Sequence, residues 1–391
     1  MVNKNIYMDY GATTPVRREV LEVMLPYWSD YYGNPSSVHK FGQQASLGLR
    51  EARETIAKSL GCHCDEIVFT ACGSESDNLA LRGAMWSARM NGRGNHMITS
   101  QIEHKAVLET AIQLQRNADF EVTILPVDKY GCVDIDQLEQ AIRPDTVLIS
   151  IMAANNEIGT FQPIEEIGMF AREHGVLFHT DAVQAIPFRA WKVNSMPIDL
   201  MSIAPHKFYG PKGIGILYVR RGHQLVSTLT GGGQEDDRRA GTENVAYAVG
   251  SAEALRLAVA EREENVAHYQ SLTSRLISGL VERFPETCRL TGHPFLRLPN
   301  NASFAFRNIS GNDIVFHLDV SGVSASSGSA CLTGDPKPST VLGACGLSHE
   351  WTSGGLRLTV GRFSTKEDVE YLLTALSDVI GHLEALKAHF A

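Results

Sequence analysis

The chain has 391 residues, 43% of them hydrophobic, which is enough to bury the core of one large domain and of a smaller one. Its formal charge of -9 contains no block of like charges, which argues against a nucleic-acid or anionic-membrane surface as the main partner and leaves small molecules and proteins. Seven cysteines, at positions 62, 64, 72, 132, 288, 331 and 345, are odd in number and follow no disulfide-scaffold spacing, so reduced thiols are expected.

The opening stretch MVNKNIYMDYGATTPV lacks the basic region and apolar run of a signal peptide, and no later stretch reaches the length of a membrane span. A cytoplasmic location without membrane contact is expected. From about residue 65 to 220, short apolar runs alternate with helix-like segments, the pattern of an α/β domain with a mainly parallel sheet covered by helices. Strands are predicted at 67–70, 96–100, 121–126, 146–153, 176–180, 200–203 and 215–219, seven in all. Ligands of such sheets bind beyond the carboxyl ends of the strands, which directs attention to Glu103, His104, Asn155, Asn156, Asp181, His206 and Lys207. Residues 251–284 predict one long helix or a broken pair that carries the chain out of the large domain. A strand at 302–306, a helix at 312–319, the run VSASSGSAC, a strand at 356–360 and a closing helix follow, which together read as a smaller α+β domain. The expected division is 15–260 for the large domain, with 1–14 and 261–391 forming the small one.

In DLMSIAPHKFYGPKGIGILYV an apolar strand runs into His206 and Lys207, placing a lysine where a buried site would lie. A lysine bonds an aldehyde only when its amine is partly deprotonated, which desolvation or a neighbouring cation achieves. A surface lysine at a strand end fits this segment alone equally well. In VLFHTDAVQAIP, Asp181 stands where a carboxylate would keep a ring nitrogen protonated, although a lone aspartate there also suits a helix N-cap. His104 in ITSQIEHKAVL has the position to stack on a ring or move protons, or to be a satisfied loop histidine. FTACGSESDNLAL reads as a strand, a small-residue turn and a helix, whose first N–H groups and Ser74 hydroxyl suit a phosphate.

These segments, with MDYGATTPV, YGNPSSVHKFG, NNEIGT, GGGQE, RRAGTENV, SSGSAC and LRLTVGRF, resemble the cysteine desulfurases of the class V aminotransferase group over nearly the whole chain and in family order. The resemblance implies the type I fold of pyridoxal 5'-phosphate enzymes. It further implies Lys207 as the lysine bonded to the cofactor, Asp181 at the pyridine nitrogen, Gln184 and Asn156 near the ring hydroxyl, and His104 against the ring. Gly73, Ser74 and His206 would hold the phosphate. Thr242 matches a threonine that reaches the phosphate from a second subunit, implying a homodimer with shared sites. Arg357 matches the arginine that grips the substrate carboxylate, with Asn156 nearby, as suits a bidentate guanidinium.

Cys331 occupies the family's nucleophile position, closing ASSGSAC, and its thiolate would be the reactive species. The implied reaction turns L-cysteine into L-alanine: Lys207 removes the α-proton, Cys331 attacks the substrate sulfur and keeps it as a persulfide, and His104 carries protons. Sulfur-acceptor proteins such as iron-sulfur scaffolds are the implied partners. The alternatives are a selenocysteine lyase, or another class V lyase or transaminase, on the same cofactor; a non-catalytic relay protein is disfavoured by the intact Lys207, Asp181 and Cys331. No metal site is expected. Several positions depart from the family: Ala204 and Pro205 remove a hydroxyl donor to the phosphate, Cys72 enters the phosphate turn, Gly11 replaces Ser or Asn, and LTGDPKPS follows Cys331.

Overall fold

The computed structural model describes residues 5–328 and 338–390. Its strands, in chain order, are β1 (Ile6–Tyr7), β2 (Ile67–Thr70), β3 (His96–Ser100), β4 (Glu121–Leu125), β5 (Thr146–Ser150), β6 (Leu177–Asp181), β7 (Leu200–Ile203), β8 (Gly215–Val219), β9 (Cys288–Leu290), β10 (Asn301–Phe306), β11 (Val323–Ser324) and β12 (Gly355–Thr359). Strands β2 to β8 form a seven-stranded sheet in the order β2-β8-β7-β6-β5-β3-β4. The pairs from β4 through β7 are parallel, and β8 runs against both β7 and β2. Two reversals make β2 point along β7, so its carboxyl end reaches the same sheet edge as those of β3, β5, β6 and β7. The fold is the expected α/β one.

Neighbouring residues of each strand enter opposite cores. Ile98, Ile149, Phe178, Met201 and Ile216 pack on one face with the helices Lys40–Leu60 and Val245–Ala260. Met97, Leu148, Leu177, Leu200 and Leu217 pack on the other with Gly73–Met90 and Lys105–Ala118. A sheet buried on both faces needs apolar side chains at successive positions, which is why its strands read as continuous apolar runs. A third apolar cluster joins Ile6 and Met8 to Tyr269, Phe304, Leu356 and Leu376. It is built around the antiparallel sheet β12-β10-β9, with β1 beside β11.

Several boundaries differ from the sequence reading for local reasons. The ladder of β5 ends at Ser150, but Ile151 and Ala153 still donate to the carbonyls of His179 and Asp181, so the apolar run stays extended past the strand. Asp181 is the last residue of β6 rather than the residue after it, because it pairs with Ser202 of β7. Pro126 lies outside β4, as a residue without an N–H must in a ladder. Residues 245–283 are the broken pair: the helices Val245–Ala260 and Arg262–Arg283 meet at Glu261, whose carboxylate binds Arg17 and Arg362. Among the described residues no helix is long and apolar enough to cross a membrane.

Candidate active site

At the carboxyl edge of the large sheet lies a cavity of about 250 Å³, lined in part by Gly73, Ser74, His104, Asn156, Asp181, Gln184, His206, Lys207 and Arg357. The topology gathers them. Gly73 and Ser74 open the helix after β2, His104 follows β3, Asn156 follows β5, Asp181 ends β6, and His206 and Lys207 form a single tight turn after β7. Arg357 comes from the middle of β12 in the other sheet. Thr242 lies outside this cavity in one chain and lines a different one, with Thr70 and Ala71. Cys331 lies outside the described residues.

The Lys207 amine donates to the carbonyls of Gly11 and Ala12 at 2.8 and 2.7 Å. Burial, and next the Arg357 guanidinium, pull its pKa down to about 8, against the opposing pull of Asp181 and Asp9. At pH 7 this leaves about one amine in ten neutral, against roughly one in three thousand for an unperturbed lysine. The condition for bonding an aldehyde is therefore met by position alone.

Asp181 is buried, and its Oδ1 accepts the Val183 N–H at 2.9 Å. Burial raises its pKa, with His104 and Lys207 pulling the other way. A carboxylate in this state gains from a cationic N–H placed before it. Beneath it lie further acids that the sequence reading left without a role. Asp77 is buried with Oδ1 unpartnered, 3.7 Å from His179 Nε2. Glu103 accepts from the Ser100 hydroxyl at 2.6 Å and the Met152 N–H at 3.0 Å, and burial pushes it up to about 8. Asp77 is raised for the same reason, and burial takes His179, bridged to Ser150 and Ser202, down to about 3. Of these acids Asp77 and Asp181 line the cavity, and Asp181 is the one on which both His104 and Lys207 pull.

His104 is exposed and caps the helix Lys105–Ala118, its Nδ1 accepting the Ala106 N–H at 3.1 Å. With that lone pair taken, a neutral His104 carries its proton on Nε2. The ring thus caps a helix and lines the cavity. Gln184 Nε2 donates to the Gly11 carbonyl at 3.0 Å, and Asn156 offers its carbonyl to Arg357. His206 Nδ1 lies 3.1 Å from the Thr13 hydroxyl, and burial lowers it to about 4, so it lends an N–H rather than a charge.

The helix Gly73–Met90 begins at the cavity with no side-chain cap from Cys72. A Cβ on Gly73 would come within 3.2 Å of Ala204 and Val183, so glycine keeps the turn open. An uncapped helix N-terminus, a buried carboxylate and a depressed lysine are the features that a phosphorylated pyridine aldehyde requires, and the residues fit pyridoxal phosphate.

Arg357 is buried, donating to Asp9 Oδ1 at 2.7 Å and to the Asn156 carbonyl at 3.0 Å. Its Nε–H is buried without a partner, which leaves the cation short of one acceptor. Asp9 was not singled out from the sequence; its place in MDYGATTPV, a motif noted without a role, was the available signal. Cys72, noted as a departure, also lines the cavity. Burial pushes the thiols of Cys62, Cys288 and Cys345 up to about 12 and Cys132 to about 11, which makes them poor nucleophiles.

The family model Aminotransferase class-V matches residues 6–372. A cysteine desulfurase IscS of Methanosarcina thermophila is 49% identical over 381 residues, covering 97% of this chain and 93% of the relative. Among solved structures, a NifS-like protein superposes with a TM-score of 0.90 at 37% identity, covering 97% of this chain and all of the other. SspA in complex with cysteine superposes with a TM-score of 0.78 at 37% identity, covering 92% of this chain and 100% of that one.

Proposed function

The chain belongs to the class-V aminotransferase family, and on that premise we propose how its residues divide the work of a pyridoxal-phosphate-dependent cysteine desulfurase. The observation that carries this reading is the single cavity joining Lys207, Asp181 and Arg357. Lys207 would hold the cofactor covalently, with Asp181 serving its ring nitrogen, His104 its ring, and Gln184 and Asn156 its hydroxyl. Gly73, Ser74 and His206 would hold the phosphate. Pyridoxal phosphate, when bound, supplies an aldehyde for amines and a ring that withdraws electrons from the bonds at the substrate α-carbon.

Arg357, which lines the cavity, takes the carboxylate of L-cysteine, with the Asn156 carbonyl and Asp9 fixing the guanidinium plane. Lys207, with its lowered pKa, is the base for the α-proton. Cys331 attacks the substrate sulfur as a thiolate. A sulfur-sulfur bond forms, the carbon-sulfur bond breaks with its electron pair left on the substrate carbon, and L-alanine and a persulfide result. His104, which lines the cavity, carries protons to and from the thiols through Nε2, the ring nitrogen that the helix cap leaves free.

Thr242, exposed and away from this cavity, fits a contribution to the phosphate of a second copy, and a homodimer with shared sites is proposed on that ground. Two separate apolar clusters support a division into 15–260 and a smaller unit of 1–14 with 261–391. The persulfide passes to sulfur-acceptor proteins, of which iron-sulfur scaffolds are the proposed class, in the cytoplasm. The test is alanine formed from cysteine by the wild type, Cys331→Ala and Cys72→Ala. Loss in Cys331→Ala with cofactor binding intact supports the assignment. Full turnover in Cys331→Ala together with loss in Cys72→Ala would transfer the role to the other thiol.

A further inference from the structure

Glu157, in the loop after β5, is buried and has no part in the chemistry described above. Its own backbone is held firmly. Asn155 Oδ1 accepts the N–H groups of Glu157 and Ile158 at 2.8 and 2.9 Å, and Asn301 Nδ2 donates to the Glu157 carbonyl at 3.2 Å. The side chain then reaches across to two residues far along the chain. The Ser339 hydroxyl donates to Glu157 Oε1. Gly328 lies so close that a Cβ there would stand 2.9 Å from the Glu157 carboxyl carbon and Oε1, and its φ of +73° independently favours glycine.

Gly328 and Ser339 are the described residues near either end of the stretch that carries Cys331. Each is tied to a rigid element. Ser326 exchanges backbone hydrogen bonds with Arg357, at 2.7 and 3.3 Å, and its hydroxyl receives the Gly328 N–H at 3.4 Å. Ser339 caps the helix Thr340–Ala344 by accepting the Leu342 N–H at 3.1 Å, and its own N–H donates to Thr352. The adjacent Asn156 gives its carbonyl to Arg357. Two consecutive residues thus touch the substrate-binding arginine through the backbone and both flanks of the Cys331 stretch through one carboxyl group.

We propose that Glu157 is a positioning residue for the sulfur-accepting thiol, its carboxyl group packing against Gly328 and accepting from Ser339, the described residues on either side of Cys331. The inference rests on the reading of Cys331 as the acceptor. Ser339 has one hydroxyl proton, and donating it to Glu157 leaves the oxygen lone pairs for Leu342, so helix cap and carboxyl contact are satisfied together. Removing either partner frees one flank, and a thiol misplaced by an ångström loses much of its reactivity.

The test uses the holoenzyme with Glu157→Ala, Glu157→Gln, Ser339→Ala and the Glu157→Ala/Ser339→Ala pair. Two quantities are followed: the cysteine-induced change in cofactor absorbance, which reports substrate binding, and persulfide formed in a single turnover. Glu157→Ala and Ser339→Ala are expected to slow persulfide formation about tenfold or more while the absorbance response shifts less than about twofold. The double variant should be no worse than the poorer single one, since both remove the same contact. Glu157→Gln keeps the acceptor and should stay within about threefold of the wild type. Persulfide formation at the wild-type rate in Glu157→Ala and Ser339→Ala, or a loss matched by loss of the absorbance response, overturns the positioning role. Cys331→Ala, run alongside, separates the two failures: if it still yields alanine at the wild-type rate, the acceptor assignment itself has failed.

Discussion

Lys207, Asp181 and His104 reach the cavity from the carboxyl edge of one sheet, each close to the end of its own strand, whereas Arg357 arrives from the middle of a strand in a separate sheet. The first wall is held by its own ladders, since β6 and β7 pair in register up to Asp181 and Ser202. In the second the backbone of Arg357 is likewise held by a ladder, with β10, but its guanidinium is set by Asp9, 348 residues earlier, and by the Asn156 carbonyl. A wall set by backbone ladders suits a cofactor that must stay fixed through every turnover. A guanidinium set by an ion pair suits a substrate that comes and goes.

Replacing a residue on each wall puts this contrast at risk. Lys207→Ala should lower alanine formation from cysteine by about 10³-fold or more and abolish the covalent cofactor signal, because base and anchor disappear together. Arg357→Ala should keep the cofactor colour and raise KM for cysteine about 10- to 100-fold, the cost of losing a charged hydrogen-bonding partner. If Arg357→Ala instead lost the cofactor, the two walls would not be separable.

Arg357→Ala also has a pH signature that needs no substrate. Capture of pyridoxal phosphate requires the neutral Lys207 amine, so its rate rises with pH through about 8. Arg357 is a cation that lowers that pKa, and its removal moves the rising limb to higher pH. Absorbance growth of the apoprotein mixed with the cofactor across neutral and mildly alkaline pH measures the shift. An unmoved limb would mean that burial alone sets the amine.

The smallest effect concerns the acid layer beneath Asp181. Glu103 is held near 8 in the folded chain, well above its unfolded value of about 4.5. Its contribution to stability is present in full below the unfolded value and is lost as pH rises through the folded one. Between the two, the folded state holds about one extra proton, a fall of roughly 1.4 kcal/mol per pH unit. Glu103→Gln should remove about that slope from the apoprotein's urea stability over this range. A variant as steep as the wild type would place the extra proton elsewhere.

The apolar runs announced all seven strands of the large sheet, because a sheet buried on both faces leaves a continuous signal in the chain. Lys207, Asp181 and His104 were legible for a related reason: functional groups sit just beyond such runs, and the motif resemblance gave each a role. Asp9, Asp77 and Glu157 carry no comparable local mark. Asp77 is one more polar residue in a helix until packing buries it beside His179. Glu157 lies in a motif, NNEIGT, that says nothing of Ser339, 182 residues on.

Sequence alone determined which segments become strands, which residues end them and what chemistry those residues suit, since these follow from side-chain type and local periodicity. Tertiary structure decided which distant groups meet and how their protons are held. The carbonyls of Gly11 and Ala12 cradle the Lys207 amine, Asp9 orients Arg357, and burial brings a lysine and a glutamate to the same value near 8 from opposite directions. Charge in a low-dielectric interior depends on what surrounds it, and no local pattern along the chain records that.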